Sequence, residues 1–303
     1  MDDKELFEFV AKEELQIKEF VRPSVSYWSD AWRRLKKNRF AMIGLVLIII
    51  LIVFAIIGPI ISPYEYDQTD LNNVYAPMSW KHIFGTDELG RDVLTRVLYG
   101  ARISLAVGFV ASFLNLIIGV IYGGISGYLG GRVDNIMMRI VDILYSVPIL
   151  LIVILLMVVL RPGLTNVFIA LGIAYWVGMA RIVRGQVLSL KEQEFTLAAK
   201  ALGADKKRIL LKHLIPNTIG PIIITATLLI PDAIFFESFL SFIGLGVSAP
   251  MASWGVLASD GARAFMSHPN LFLVPSLFIC ITMLSFNFLG DGLRDSLDPR
   301  LRK

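Results

Sequence analysis

Cysteine, histidine and charge are what this 303-residue sequence has least of, and each scarcity closes a class of function. The one cysteine, Cys280, permits no intrachain disulfide and no cysteine-based metal cluster. Two of the three histidines, His82 and His268, fall on one predicted side of the chain, but nothing else joins them and no metal site is expected. There is no Gly-x-x-x-x-Gly-Lys-Ser/Thr phosphate loop, and no Gly-Lys dipeptide at all, so the backbone cradle and lysine that hold nucleotide phosphates are missing. No Gly-x-Ser-x-Gly elbow or His-Glu-x-x-His pair offers enzyme chemistry in their place. Charged residues make up 18%, below the roughly 25% of soluble domains. Residues 1–22 carry seven acidic and four basic side chains without an apolar core, so no cleavable signal peptide is expected.

What the chain has is apolar length. The hydrophobic set reaches 55% before its 24 glycines are counted, and it comes in long blocks instead of an amphipathic period. About 20 apolar residues of helix cross the roughly 30 Å of bilayer hydrocarbon, and the blocks resolve into six spans near 41–61, 103–128, 136–160, 164–183, 218–245 and 270–291. The fifth is one long helix carrying Asp232 and Glu237, with Pro231 as a kink. The stretch after Leu245 has the Gly, Ser and Pro content of a loop. An even number of spans puts both termini on one side. Placing them inside locates 23 of the 29 Lys and Arg in inner segments and leaves outside only Lys81, Arg91, Arg96, Arg102, Arg161 and Arg263. The expected organisation is an inner tail (1–39), a first span (40–62), an outer loop (63–101), a five-helix core (102–292) and an inner tail (293–303). Net charge is +4, which in a membrane protein reflects orientation signals, and no nucleic-acid partner is expected.

Within the core, residues 184–217 form the informative inner segment. Two short helices are expected: Ser189 and Glu192 have capping-box spacing, Gly203 closes the first helix, Asp205 caps the second, and Pro216 ends it. The first carries Glu194, Phe195, Thr196, Leu197, Ala198, Ala199, Lys200, Leu202 and Gly203, and its alanines allow another backbone to approach closely. On composition alone this helix serves equally as a docking element or a connector. Gly119, Gly123, Gly127 and Gly131 recur every fourth residue in the second span, a smooth stripe for a facing helix, either of this chain or of another subunit. Asp142, Asp232 and Glu237 lie within or near the membrane, where ionisable groups turn toward protein or water. They are candidate pathway or buried polar residues. Asp232 and Glu237 stand five residues apart, about 140° around a helix, and so do not share a face.

Longer motifs carry a resemblance. Leu197-Ala198-Ala199 with Gly203 and Ile215-Pro216 resembles the EAA motif of permease subunits in ATP-binding cassette importers, with Leu197 where the family prefers Glu and His213 where it prefers an aliphatic residue. The run His82-x-Phe84-Gly85-Thr86-Asp87-x-x-Gly90-Arg91-Asp92-Val93, the Glu237-x-x-Leu240-Ser241-Phe242 segment with Ser253-Trp254-Gly255, and the ending from Phe286-Asn287 to Asp298-Pro299-Arg300 are similar to permeases that import dipeptides, oligopeptides or nickel. The likeness spans residues from about 30 onward and is nearest to the C-type member of the permease pair. It implies an all-α integral membrane fold of six transmembrane helices, the type I ABC importer permease fold, in the cytoplasmic membrane. It implies as partners a homologous B-type permease subunit, two ABC ATPase subunits that bind ATP and Mg, an extracytoplasmic substrate-binding protein and membrane lipid. This chain itself is expected to bind no cofactor and to catalyse nothing. A secondary transporter would be expected to show an inverted repeat with paired broken helices, and no such repeat is found. An intramembrane enzyme would need a nucleophile and base pairing that is missing here. The solute, whether dipeptide, longer peptide, sugar or nickel, stays open.

Overall fold

The structure is a computed structural model that describes residues 27–297, so the first 26 residues of the N-terminal tail and the closing Asp298-Pro299-Arg300 motif lie outside the described residues. Apart from an isolated bridge between Thr86 and Asp92, its regular elements are helical. A short helix α1 (Tyr27–Leu35) leads into α2 (Arg39–Ile61), which Asn38 caps by accepting from the Ala41 N–H at 3.2 Å. After an irregular segment come α3 (Val93–Leu129), α4 (Gly131–Ser146), α5 (Ile149–Leu160) and α6 (Leu164–Lys191). The inner segment contains α7 (Glu194–Ala201), α8 (Lys206–Arg208), a π-helical turn over Ile209–Leu214, and α9 (Ile215–Asn217). Then follow α10 (Ile219–Phe242), α11 (Trp254–Arg263) and α12 (Asn270–Leu297).

Five of these, α2, α3, α6, α10 and α12, are long and apolar enough to cross a membrane unaided. The third expected span is instead two helices, α4 and α5, bent by 85° at a break over Val147 and Pro148. Packing registers show that the bent pair is a crossing. Along α3, Gly119 faces Met179, Gly123 faces Ala180 and Gly127 faces Arg184 and Val187, so α3 and α6 run parallel. Two parallel neighbours require a return between them, and α4 with α5 is the only chain available for it. Six crossings result. Opposite registers hold for α10 on α3, where Ser104 meets Glu237 and Ser112 meets Ala226, and for α12 on α2, where Gly292 meets Ala41. The start of α2, the end of α12 and the inner segment consequently share one end of the bundle, termed here the α7 end. Residues 62–92 and α11 occupy the other, the loop end.

Several boundaries differ from those expected. Helix α3 starts at Val93, ten residues before the apolar run, because Asp92 caps it: its carboxylate accepts from the Thr95 N–H and hydroxyl, each at 2.8 Å. At about 1.5 Å per residue α3 is about 55 Å long, so its first turns stand beyond the hydrocarbon. Helix α12 continues past residue 292 to Leu297. The fifth span ends at Phe242, and Gly244 turns the chain with φ +82. Gly131 is not part of the glycine stripe: it begins α4 with φ +56 and a side chain there would meet nothing within 4 Å. The other three glycines pack within this chain.

Candidate functional site

At the α7 end, three ties hold the inner segment to the bundle. Arg184 of α6 clasps Asp134 of α4 through Nε and Nη2, both at 2.6 Å, and Ser126 of α3 donates to the same carboxylate at 2.6 Å. Lys191 closes the end of α6 onto the Tyr128 carbonyl at 2.6 Å. Thr196 reaches back from α7 to the Leu190 carbonyl at 2.8 Å. Beneath α8 and the π-turn, Ile209 and Leu214 pack with Met179, Val183, Val187 and Ile222. The segment is thus a rigid projection of α6 and α10.

Local chemistry shapes it differently from the simple two-helix reading. The capping box is not formed, because α6 runs on through Ser189 to Lys191, its side chains Val183 and Val187 being fully buried. Helix α7 is 8 residues long and has Gln193 at its N-cap without a side-chain bond. Gly203 does take the left-handed conformation, φ +83, and Asp205 does cap α8, accepting from the Arg208 N–H at 3.2 Å. Pro216 ends nothing: it sits in the first turn of α9, which follows directly on the π-turn, and the helix passes on into α10.

The predicted docking residues divide in two. Thr196 is 3% exposed and Ala199 half-buried, both on the side turned to the bundle. Glu194, Phe195, Leu197, Ala198, Lys200, Leu202 and Gly203 are exposed, Leu197 at 54% and Leu202 at 89%. Two residues the sequence reading passed over join them: Ala201, which shares the outward side with Ala198, and Leu211, exposed on the π-turn. Their spacing was readable only with the phase of α7 fixed by Thr196.

Toward the loop end of the bundle, Glu237 is fully buried and accepts from three serines, Ser241 at 2.8 Å, Ser104 at 3.0 Å and Ser238 at 3.4 Å. Two of these hydroxyls are themselves acceptors: Ser104 for the Trp254 N–H at 3.2 Å and Ser241 for the Val247 N–H at 3.1 Å. One carboxylate therefore fastens α3, α10 and the loop into α11, and the indole of Trp254 completes the knot by donating to the Val97 carbonyl at 3.0 Å. Glu237 is a buried polar hub. Replacing it with alanine removes the shared acceptor, and each buried polar group left without a partner costs about 1–3 kcal/mol. A loss of about 3 kcal/mol in the unfolding free energy of the detergent-solubilised chain is expected on that basis, with Glu237→Gln milder because its carbonyl still accepts. Asp142 is on the exposed face of α4, paired with Arg181 of α6 at 2.6 Å. Asp232, near the middle of α10, is exposed and has no ion-pair partner among the described residues.

At the loop end, the motif from His82 to Asp92 is accounted for by structure. Asp87 accepts from the Leu89 and Arg91 N–H groups at 2.9 and 3.0 Å, from Arg91 Nε at 2.7 Å, and from Arg96 Nη1. Arg96 is 3% exposed and its Nη2 lies 3.7 Å from Asp260 of α11. Gly90 has φ +71, and a Cβ there would stand 1.8 Å from the Asp70 carbonyl oxygen. Asp70, in turn, is held below the usual carboxylate range by Asn73 and by the Asn72 N–H. His82 lies 2.9 Å from Asp92 and stacks on Tyr64, while His268 stacks on Tyr75. Among the described residues no group of three metal-ligating side chains comes together.

Six crossings around a packed core, a buried polar hub, and a helix tied to the bundle at one end with its apolar side uncovered define a helical integral membrane subunit. More narrowly, the chain belongs to the binding-protein-dependent transport system inner membrane component family, whose model matches residues 115–303, while residues 26–77 match the N-terminal transmembrane domain of oligopeptide transport permease C. It is 57% identical to the dipeptide transport system permease protein DppC of Bacillus subtilis over 93% of this chain and 88% of that one. To the oligopeptide transport system permease protein OppC of the same organism it is 53% identical, over 99% and 98%. The fold matches the inward-facing methionine ABC transporter MetNI with a TM-score of 0.54 at 18% identity, covering 67% of this chain and 96% of that one. The fold is that of a type I ABC importer permease.

Proposed function

We propose that this chain is the C-type permease subunit of an ATP-driven importer of di- or oligopeptides, with the α7 end in the cytoplasm. One observation carries the reading: α7 is fixed to the bundle by Thr196 yet leaves its apolar side uncovered, in a chain that has no phosphate loop of its own. Such a helix is built to be pushed by a separate motor. Two ATPase subunits, binding ATP and Mg, dock there, and this chain holds no cofactor. A homologous B-type permease covers the other side of the path, and an extracytoplasmic binding protein delivers the solute at the loop end. The names of the Bacillus subtilis relatives support peptides as the solute. Asp232 faces the path or the second permease, since a carboxylate turned to lipid costs about 2.5–3.5 kcal/mol.

The test is uptake by the reconstituted four-subunit complex with its binding protein. Labelled dipeptide or pentapeptide should accumulate only with ATP, and accumulation without ATPase subunits would overturn the reading. Orientation is checked by single cysteines in a Cys280→Ser background at Leu202, Trp80 and Met266, all highly exposed. Trp80→Cys and Met266→Cys should react from outside and Leu202→Cys only from inside.

A further inference from the structure

Helix α1 has an apolar face wider than the protein covers. At about 100° per residue, Tyr27, Ala31, Leu35, Trp28 and Trp32 fill one continuous sector of about 140°. The protein takes the first part of it. Ala31 and Leu35 are 8% and 5% exposed, and the Tyr27 hydroxyl donates to the Leu297 carbonyl at 3.1 Å. Trp28 and Trp32, four residues apart on the remaining part, stay 51% and 46% exposed. Only residues 36–38 separate α1 from α2, so this open strip lies beside the end of a membrane crossing.

Charge follows the same edge. Between Tyr27 and Arg39 the sequence has five basic residues, Arg33, Arg34, Lys36, Lys37 and Arg39, against one acidic residue, Asp30. Asp30 is already taken by Arg33 and Arg34, at 2.6 and 2.8 Å. Lys36 leans over the Trp32 ring at 5.1 Å, and neither Lys37 nor Arg39 has an ion-pair partner among the described residues. Indole rings favour the headgroup level of a bilayer, and a basic segment next to a span favours anionic headgroups.

We propose that α1 lies in the membrane interface, with Trp28 and Trp32 at the boundary of headgroups and acyl chains and Lys36, Lys37 and Arg39 holding phosphates of anionic phospholipid. Lipid bound there braces the α7 end, because Tyr27 also lies against Gly220, where α10 leaves the docking segment. The occupant is a bilayer surface and not a soluble protein: the open strip is one helical edge with two indoles, continuous with the lipid-facing end of α2, where Phe40 is 64% exposed.

The experiment uses the full chain with Cys280→Ser, spin-labelled at Trp32→Cys, at Trp28→Cys as a second reporter, or at Ser29→Cys, and placed in phosphatidylcholine vesicles with or without about one-third phosphatidylglycerol. Oxygen should relax the labels at 28 and 32 several-fold more than a water-soluble nickel chelate does, with the order reversed at 29. Phosphatidylglycerol should move the label at 32 deeper, and Lys36→Gln with Lys37→Gln should lose that response. Equal access of the chelate to 28, 32 and 29 would make α1 a solvated arm, and shielding from both reagents would make the strip a protein contact. Either result overturns the proposal, and a label indifferent to phosphatidylglycerol overturns the phosphate contacts.

Discussion

Gly123→Leu should yield a chain that no longer assembles α3 on α6, seen as loss of the monodisperse species on size exclusion after detergent extraction. An ideal Cβ at 123 falls 2.3 Å from the Ala180 carbonyl oxygen and 3.0 Å from its carbonyl carbon and Cα. These are backbone atoms in mid-helix, so relief requires the two helices to separate. Gly119 and Gly127 make similar approaches, 2.5 Å to the Met179 Cβ and 2.9 Å to the Arg184 carbonyl oxygen, so a displacement at 123 opens the contact along its length. Overpacking a soluble core costs about 1–3 kcal/mol. Here the cost is larger, because helix association in lipid rests on close packing with no hydrophobic gain behind it. The polar clasp in which Arg184 and Ser126 both donate to Asp134 would be pulled apart by the same movement. Gly185→Ala is the matched control: it is helical, with nothing within 4 Å, and its unfolding midpoint should stay level or rise. A normal midpoint for Gly123→Leu would mean that the stripe is not a structural contact.

The stripe also shows what a sequence makes legible. Apolar blocks locate crossings well because every backbone group in lipid must be bonded internally, so a span is a helix wherever it falls. Five of the six expected spans are continuous helices for this reason. Breaks within a span are less visible. The bend at Val147 and Pro148 lies inside an unbroken apolar run, where Pro148 lacks an N–H and Val147 before it is extended, φ −91 and ψ 129. Caps mislead where packing outweighs them: Ser189 and Glu192 have the letters of a capping box, but buried Val183 and Val187 carry α6 past them. Spacing by four puts Gly131 in the stripe, but it begins α4 with φ +56 and faces open space. Of the three acidic residues, the sequence could tell that Asp232 and Glu237 face apart. It could not tell which was sealed, because the serines that enclose Glu237 come from positions as distant as Ser104.

Ala198→Trp should leave the chain folded and membrane-inserted while transport and solute-stimulated ATP hydrolysis fall together, to below about a tenth of normal if docking is worth more than 1.4 kcal/mol. The position follows from the phase of α7. Thr196 fixes one side of the helix to the Leu190 carbonyl, and at about 100° per residue Ala198 and Ala201 point the opposite way, with Leu197 and Leu202 at their flanks. Ala199 is half-buried, so bulk there would strain the bundle and confuse a docking defect with a folding one. Ala198 is exposed, and exposed substitutions usually stay within about 0.5 kcal/mol of neutral in the isolated chain. A tryptophan on that side instead fills the space a partner's groove needs. The two readouts then separate cause from consequence: unfolding of the purified chain reports α7 itself, and retention of ATPase subunits on the tagged permease reports the contact. Gly203→Val probes the same contact by direction rather than bulk, since a β-branched residue is strained at φ +83 and would turn Leu202 away from its place. Full coupled transport in both variants would return this segment to the role of a connector between α6 and α10.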